Sequence, residues 1–356
     1  MAPGVDVGII DGGVDFDTEL IRQDRPAEEE HPDQTDLLTM RGDRYALHSS
    51  WNFESDCPEQ FDPHFYEGLS EANRANYEYY LGHGTAVAGI IAVCTPQARL
   101  HALKMPFDFL VEEDEVCRTP LPLAVLREKA RHKTEARRLL FNNMKRFILI
   151  HRIPVVNCSW NEAFSDKINE IAACYPFLKG DQLIDVARLH FDGIITVLRE
   201  FFESIEFRDR TLFIIAAGNQ HADLNENPIY PGVVKQPNTL TVGGTDATKG
   251  WWKDREDFGS NFAARYLDLC TRATHYRVPW GKNSFKTKSG TSLATPVITA
   301  LALRILGEAP TLRPEELRRE ILDRCIEVPS LSDKVCDGRW FDIEHLQPRI
   351  SAIMSD

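Results

Sequence analysis

Apolar residues along this chain gather in short runs: VDVGII (5–10), ARLHALK (98–104), IPVVNCS (153–159), TLFIIAA (211–217) and TLTVGG (239–244). Several of these lack polar alternation, which predicts β-strands covered on both faces. Helical patterns lie between and after them, at Thr85 to Val93, about Leu121 to Ile148, about Gln182 to Ser204, Ser292 to Leu306 and RPEELRREILDRC (313–325). Strand and helix in alternation predict an α/β fold of three layers, a mainly parallel central sheet with helices on both faces. In such sheets functional groups collect beyond the carboxyl ends of the strands.

That rule selects residues. Asp11 ends the first run and is followed by Gly12 and Gly13, so its carboxylate sits in a tight turn at the carboxyl edge. Ser159 ends the third run, with Trp160 and Asn161 next. The fourth passes through Ala216, Ala217 and Gly218 to the amide of Asn219 with no bulky residue at the turn. His83, in LGHGTAVAGIIA, precedes a helix so rich in Gly and Ala that it must pack very closely. In KSGTSLATP (288–296), Ser292 stands among small residues where the chain turns into a helix. Each has a plainer reading when taken singly, as a turn residue or a helix cap. A serine hydroxyl is a poor nucleophile at its own pKa, so catalysis needs a base and a group to orient it. Aspartate, histidine, asparagine and serine together supply orienter, base, oxyanion donor and nucleophile.

On these residues the chain resembles the subtilisin-like serine proteases. The family's aspartate motif matches VGIIDGG at Asp11, its histidine motif HGTAVAG at His83, its oxyanion motif AAGN at Asn219 and its nucleophile motif GTSLATP at Ser292. The resemblance runs from about residue 5 to about residue 325. It implies a subtilisin-like fold and peptide-bond hydrolysis through an Asp11–His83–Ser292 triad and an acyl-enzyme, with Asn219 in the oxyanion hole; subtilisin is itself the reference case for both devices. It also implies that an extended peptide pairs along Ser159, Trp160 and Asn161 and along Ala216, Ala217 and Gly218. There are departures. Gly12 replaces the usual Ser or Thr after the aspartate, Ala86 replaces a second histidine, and Trp160 and Asn161 follow Ser159 where the family usually has leucine and glycine. The last change alters the primary specificity pocket. No cofactor is implied. Secreted relatives carry a calcium loop within the helix after the histidine, and HGTAVAGIIAVCTPQARLHALK has no room for one, so no metal is expected there. The alternative is a catalytically idle pseudoprotease that binds peptides or partners through the same cleft; its mark is a lost triad member, and all four groups are present. A serine-dependent esterase is the chemical neighbour, separated by its preference for ester substrates.

Composition narrows the setting. The 356 residues suit one peptidase domain (1–356) with insertions at about 21–80 and 112–152 and a tail at about 326–356 outside the resemblance. With 43% apolar residues the core is large, yet no apolar run approaches the ~18 residues of a membrane span. A net charge of −13 argues against a nucleic-acid partner. Eight cysteines without close spacing read as reduced thiols. Together with an amino terminus, MAPGVDVGIIDGG, that does not read as a signal peptide, they suggest a cytoplasmic protease, regulated by other domains or partner proteins. Other features have bland readings. Asp15, Asp17 and Glu19 are read as solvated carboxylates rather than a calcium site, and Cys57 and His64 lack a second pair of zinc ligands. Glu128 and Glu135 in REKARHKTEARRLL are read as pairing within a solvated helix. Trp251 and Trp252 fit either an exposed recognition patch or a cover over the core.

Overall fold

The structure, a computed structural model, describes residues 4–16, 50–53, 55–61, 63–106, 117–280, 284–346 and 350–354. Most of the first insertion, with Asp17 and Glu19, lies outside these residues. The chain begins with β1 (Asp6–Asp11), β2 (Trp51–Asn52), α1 (Pro63–Gly68), α2 (Glu71–Cys94) and β3 (Arg99–Lys104). It continues through α3 (Leu123–Ile150), β4 (Val155–Cys158), α4 (Phe164–Cys174), α5 (Gly180–Phe202), α6 (Ile205–Arg208), β5 (Leu212–Ala216) and β6 (Thr239–Thr245). Then come β7 (Lys253–Arg255), β8 (Phe258–Gly259), β9 (Leu269–Arg272), β10 (Tyr276–Pro279), β11 (Phe285–Lys288), α7 (Thr291–Glu308), α8 (Pro314–Leu322), β12 (Ile326–Glu327) and β13 (Arg339–Phe341).

The main sheet has the order β12-β13-β9-β6-β5-β4-β1-β3-β2. Every pairing in it is parallel except β12 with β13. The unbroken apolar runs follow from its two covered faces. Val7 and Ile9 of β1 and Leu212 and Ile214 of β5 pack with α2 and α7. Their neighbours Ile10, Phe213 and Ile215 point the other way, into a core built with α3 and α5. Residues 339–341 of the tail join this sheet beside β9, so the tail is part of the fold.

Two helical expectations need correction. His83 does not precede a helix: α2 starts twelve residues earlier, where Ser70 Oγ accepts the Asn73 N–H, so His83 lies in mid-helix. Gly82 and Gly84 each cost the helix about 1 kcal/mol, but close packing requires them. A Cβ on Gly84 would lie 2.0 Å from the Gly13 carbonyl oxygen and 3.2 Å from Asp11 Cβ. The glycine therefore lets α2 approach the end of β1. Helix α4 is a missed element. The long helix of the second insertion, α3, buries Leu126, Phe141, Met144 and Phe147, while Glu128–Arg131 and Glu135–Arg138 pair at i,i+3 on its exposed side. The tryptophan pair covers the core: Trp252 is buried, and half-buried Trp251 donates Nε1–H to the Ser260 carbonyl at 3.0 Å.

Candidate active site

Asp11, Asn219 and Ser292 reach the site from three elements that end or start at the carboxyl edge of the sheet. Asp11 is the last residue of β1 and is buried, with Oδ1 accepting the Gly12 N–H at 2.8 Å. His83 Nδ1 lies 2.9 Å from Asp11 Oδ1 and 3.1 Å from Oδ2. Since a carboxylate only accepts, Nδ1 carries the proton and Nε2 is the basic nitrogen. Burial alone pushes the His83 pKa down, but the charge and hydrogen bond of Asp11 outweigh it, so the imidazole is held above its usual range. The Lys288 ammonium opposes that rise.

Ser292 is the second residue of α7, whose start is tied down from outside the helix. Asn219 Oδ1 accepts both the backbone N–H and the hydroxyl of Thr291, each at 2.9 Å, and Thr291 Oγ1 accepts the Gly218 N–H at 3.1 Å. A backbone N–H can only donate, so the Asn219 amide has one possible orientation and, among the described residues, its Nδ2 remains a free donor. Both Nδ2 and Ser292 Oγ border one small space: a Cβ added at Gly290 would lie 3.5 Å from the first and 3.1 Å from the second. The amino end of α7 adds a favourable field for negative charge there. Among the described residues neither His83 Nε2 nor Ser292 Oγ is committed to a hydrogen bond, so both are available for reaction.

The serine backbone is held by a feature the sequence reading missed. Pro296 has no N–H to give the Ser292 carbonyl four residues back. Ser159 Oγ–H takes that place at 2.9 Å, itself accepting from Asn157 Nδ2 at 2.8 Å, while Asn157 Oδ1 accepts from Thr299 at 2.9 Å. Asn157, a buried amide in the otherwise apolar β4, was the available signal.

The substrate-binding expectations divide. The side chains of Ser159, Trp160, Ala216 and Ala217 are buried, so any contact with a peptide must come from their backbone. β5 lies inside the sheet, and the peptide groups after it are engaged. Ala217 N–H donates to Val242, Gly218 N–H to Thr291, and their carbonyls accept from Asn261 Nδ2 and N–H. Strand pairing along Ala216 to Gly218 is therefore corrected: no open edge exists there. By contrast, among the described residues no backbone–backbone hydrogen bond outside the regular ladders engages Ser159, Trp160 or Asn161. The Asn161 side chain is held by Gln220, whose Nε2–H donates to its Oδ1 at 3.2 Å. Gln220 also receives Asn219 N–H and Asn261 Nδ2–H at 2.9 Å each, a network that fixes the turn carrying Asn219.

Only Thr95 to Ala98 separate α2 from β3. Among the described residues there is no group of three or more His, Cys, Asp or Glu that could hold a metal ion.

A carboxylate-held imidazole, a helix-start serine and an amide donor at the carboxyl edge of a parallel sheet are the parts of a subtilisin-like site. The chain belongs to the subtilase family (peptidase S8), whose family model matches residues 2–335. It is 30% identical over 128 residues to alkaline serine exoprotease A of Vibrio alginolyticus, covering 36% of this chain and 21% of that protein. It is 24% identical over 158 residues to subtilisin-like protease 1 of Plasmodium falciparum, 40% of this chain and 23% of that one. The matches thus span under a quarter of these relatives' lengths. A cold-adapted subtilisin-like serine proteinase shares the fold with a TM-score of 0.53 at 17% identity, covering 96% of this chain and 89% of that one. The A subunit of the AB5 toxin from E. coli does so with a TM-score of 0.58 at 16% identity, covering 98% and 92%.

Proposed function

We propose that this subtilase is a serine endopeptidase acting through Asp11, His83 and Ser292 with Asn219 as oxyanion donor. One observation carries the reading: Thr291 fixes the Asn219 amide so that Nδ2 borders the same space as Ser292 Oγ. His83 Nε2 takes the Ser292 proton as Oγ attacks the peptide carbonyl, and Asp11 stabilises the imidazolium that forms. The tetrahedral oxyanion is held by Asn219 Nδ2–H and the Ser292 N–H, groups pre-aimed at the charge as it develops. His83 then protonates the leaving amine, and water releases the acyl group. The acyl half of the peptide pairs with the backbone at Ser159 to Asn161.

Asn219→Ala is expected to fold normally and to lose about 10²- to 10³-fold in kcat with little change in KM, because the donor acts mainly on the transition state. Steady-state hydrolysis of a peptide substrate measures this, and an unchanged kcat would remove Asn219 from the oxyanion site. Gly290→Ala tests the same space from the other side. Gly290 has extended backbone that any residue adopts, and the nearest atoms to the added methyl would be Ser292 Oγ, Asn219 Nδ2 and Ser292 N. An unaltered melting temperature with kcat reduced on the order of 10²-fold is expected; full activity would show that the oxyanion lies elsewhere.

The eight cysteines are all free of disulfides, which supports a reducing, intracellular setting. Among the described residues no helix is long and apolar enough to cross a membrane.

A further inference from the structure

The β10–β11 ribbon leading into Ser292 carries Arg277, Lys286 and Lys288, and among the described residues none of these has a carboxylate partner. Other cations of the chain do have carboxylate partners, as Arg99 has Asp6, Arg138 has Glu200 and Arg318 has Asp268. The ribbon pairs Lys288 with Tyr276 and Lys286 with Val278, so both lysines share one face. Their ammonium groups lie 4.5 Å and 5.1 Å from the centre of the Trp280 ring. Lys288 is also 5.5 Å from the ring of Tyr79, an exposed residue one turn before His83 on α2.

Trp280 sits directly on the histidine's neighbour: a Cβ at Gly82 would lie 2.6 Å from its Nε1. Lys288 is therefore four residues from the nucleophile along the chain and one aromatic ring from the segment carrying the base. Two like charges leaning on one ring repel each other, and Lys288 is partly withdrawn from water. An incoming carboxylate would offset both the repulsion from Lys286 and the partial loss of water.

We propose that Lys288 selects an acidic side chain on the leaving-amine half of the substrate, making this protease prefer Asp or Glu just after the scissile bond. The inference rests on the protease reading above. That reading assigns the acyl half to Ser159–Asn161, which leaves the ribbon beside His83, the group that protonates the leaving amine, to the other half.

The test uses a peptide cleaved at one known bond, with Glu, Gln or Lys placed in turn at the first three positions after that bond. Wild-type protein is expected to favour Glu over Gln by about three- to fivefold in kcat/KM at one of these positions, and to disfavour Lys to a similar extent, the range of a single exposed ion pair. Lys288→Met should flatten that series and Lys288→Glu should invert it. Each ratio is internal to one enzyme, so an overall loss of activity drops out, and the Met variant covers a Glu variant that does not fold. An acidic preference that survives in Lys288→Met, or one seen only before the scissile bond, overturns the inference. Labelling of wild-type protein by a fluorophosphonate probe separates the two failures. A labelled enzyme with no Lys288-dependent preference sinks this inference alone, whereas an enzyme that neither labels nor cleaves sinks the protease reading with it.

Discussion

Asp11→Asn is expected to lower kcat about 10⁴-fold while the protein stays folded. The amide is nearly isosteric but can donate to His83 Nδ1, which favours the tautomer whose proton sits on Nε2 and abolishes the base. The pH profile separates this from a merely structural loss. In the wild type His83 must be neutral to act, and its pKa is raised because Asp11 outweighs burial, so the acidic limb of kcat/KM lies above the ordinary histidine value of about 6.5. With the carboxylate gone, burial and Lys288 remain, and both disfavour the imidazolium. The limb of the residual activity should therefore move to lower pH. A limb that stays in place would show that Asp11 does not set the charge of His83.

Ser292→Ala should reduce turnover further, roughly 10⁶-fold, the scale found for the nucleophile of subtilisin, the reference enzyme of this family. Stability should hardly change. Ser292 Oγ has no hydrogen bond among the described residues, and the backbone carbonyl keeps its bond from Ser159 whatever the side chain. A melting temperature within about a degree of wild type is expected, consistent with a substitution that leaves no buried group unpaired. A large fall in stability would mean that Ser292 has a structural role that the present geometry does not contain.

The central strands were legible because each is covered on both faces, which turns a strand into an unbroken apolar run such as residues 212–216. Less was visible where polar groups are buried in compensated form. Helix α4 hides its period because Lys167 and Glu170 are buried on its inner side, where Glu170 pairs with both Lys167 and Lys133. The strands β2, β12 and β13 have only two or three residues, too short for a pattern of their own. The four residues proposed for the site could be picked out because each sits among glycines, alanines and threonines that close packing demands. Their support was not: the bond from Ser159 to the Ser292 carbonyl follows from a proline four residues further on, and only the fold brings β4 beneath α7. The same dependence on the fold explains the error at Ala216 to Gly218, where a small-residue strand end resembled an open edge but belongs to an interior strand.

The most direct measurement is to label the protein with a fluorophosphonate, digest it and locate the adduct by mass spectrometry. A single stoichiometric adduct on Ser292, lost in Ser292→Ala and slowed strongly in Asp11→Asn, is the predicted result. An adduct on another residue, or stoichiometric labelling that persists in folded Ser292→Ala, would contradict it.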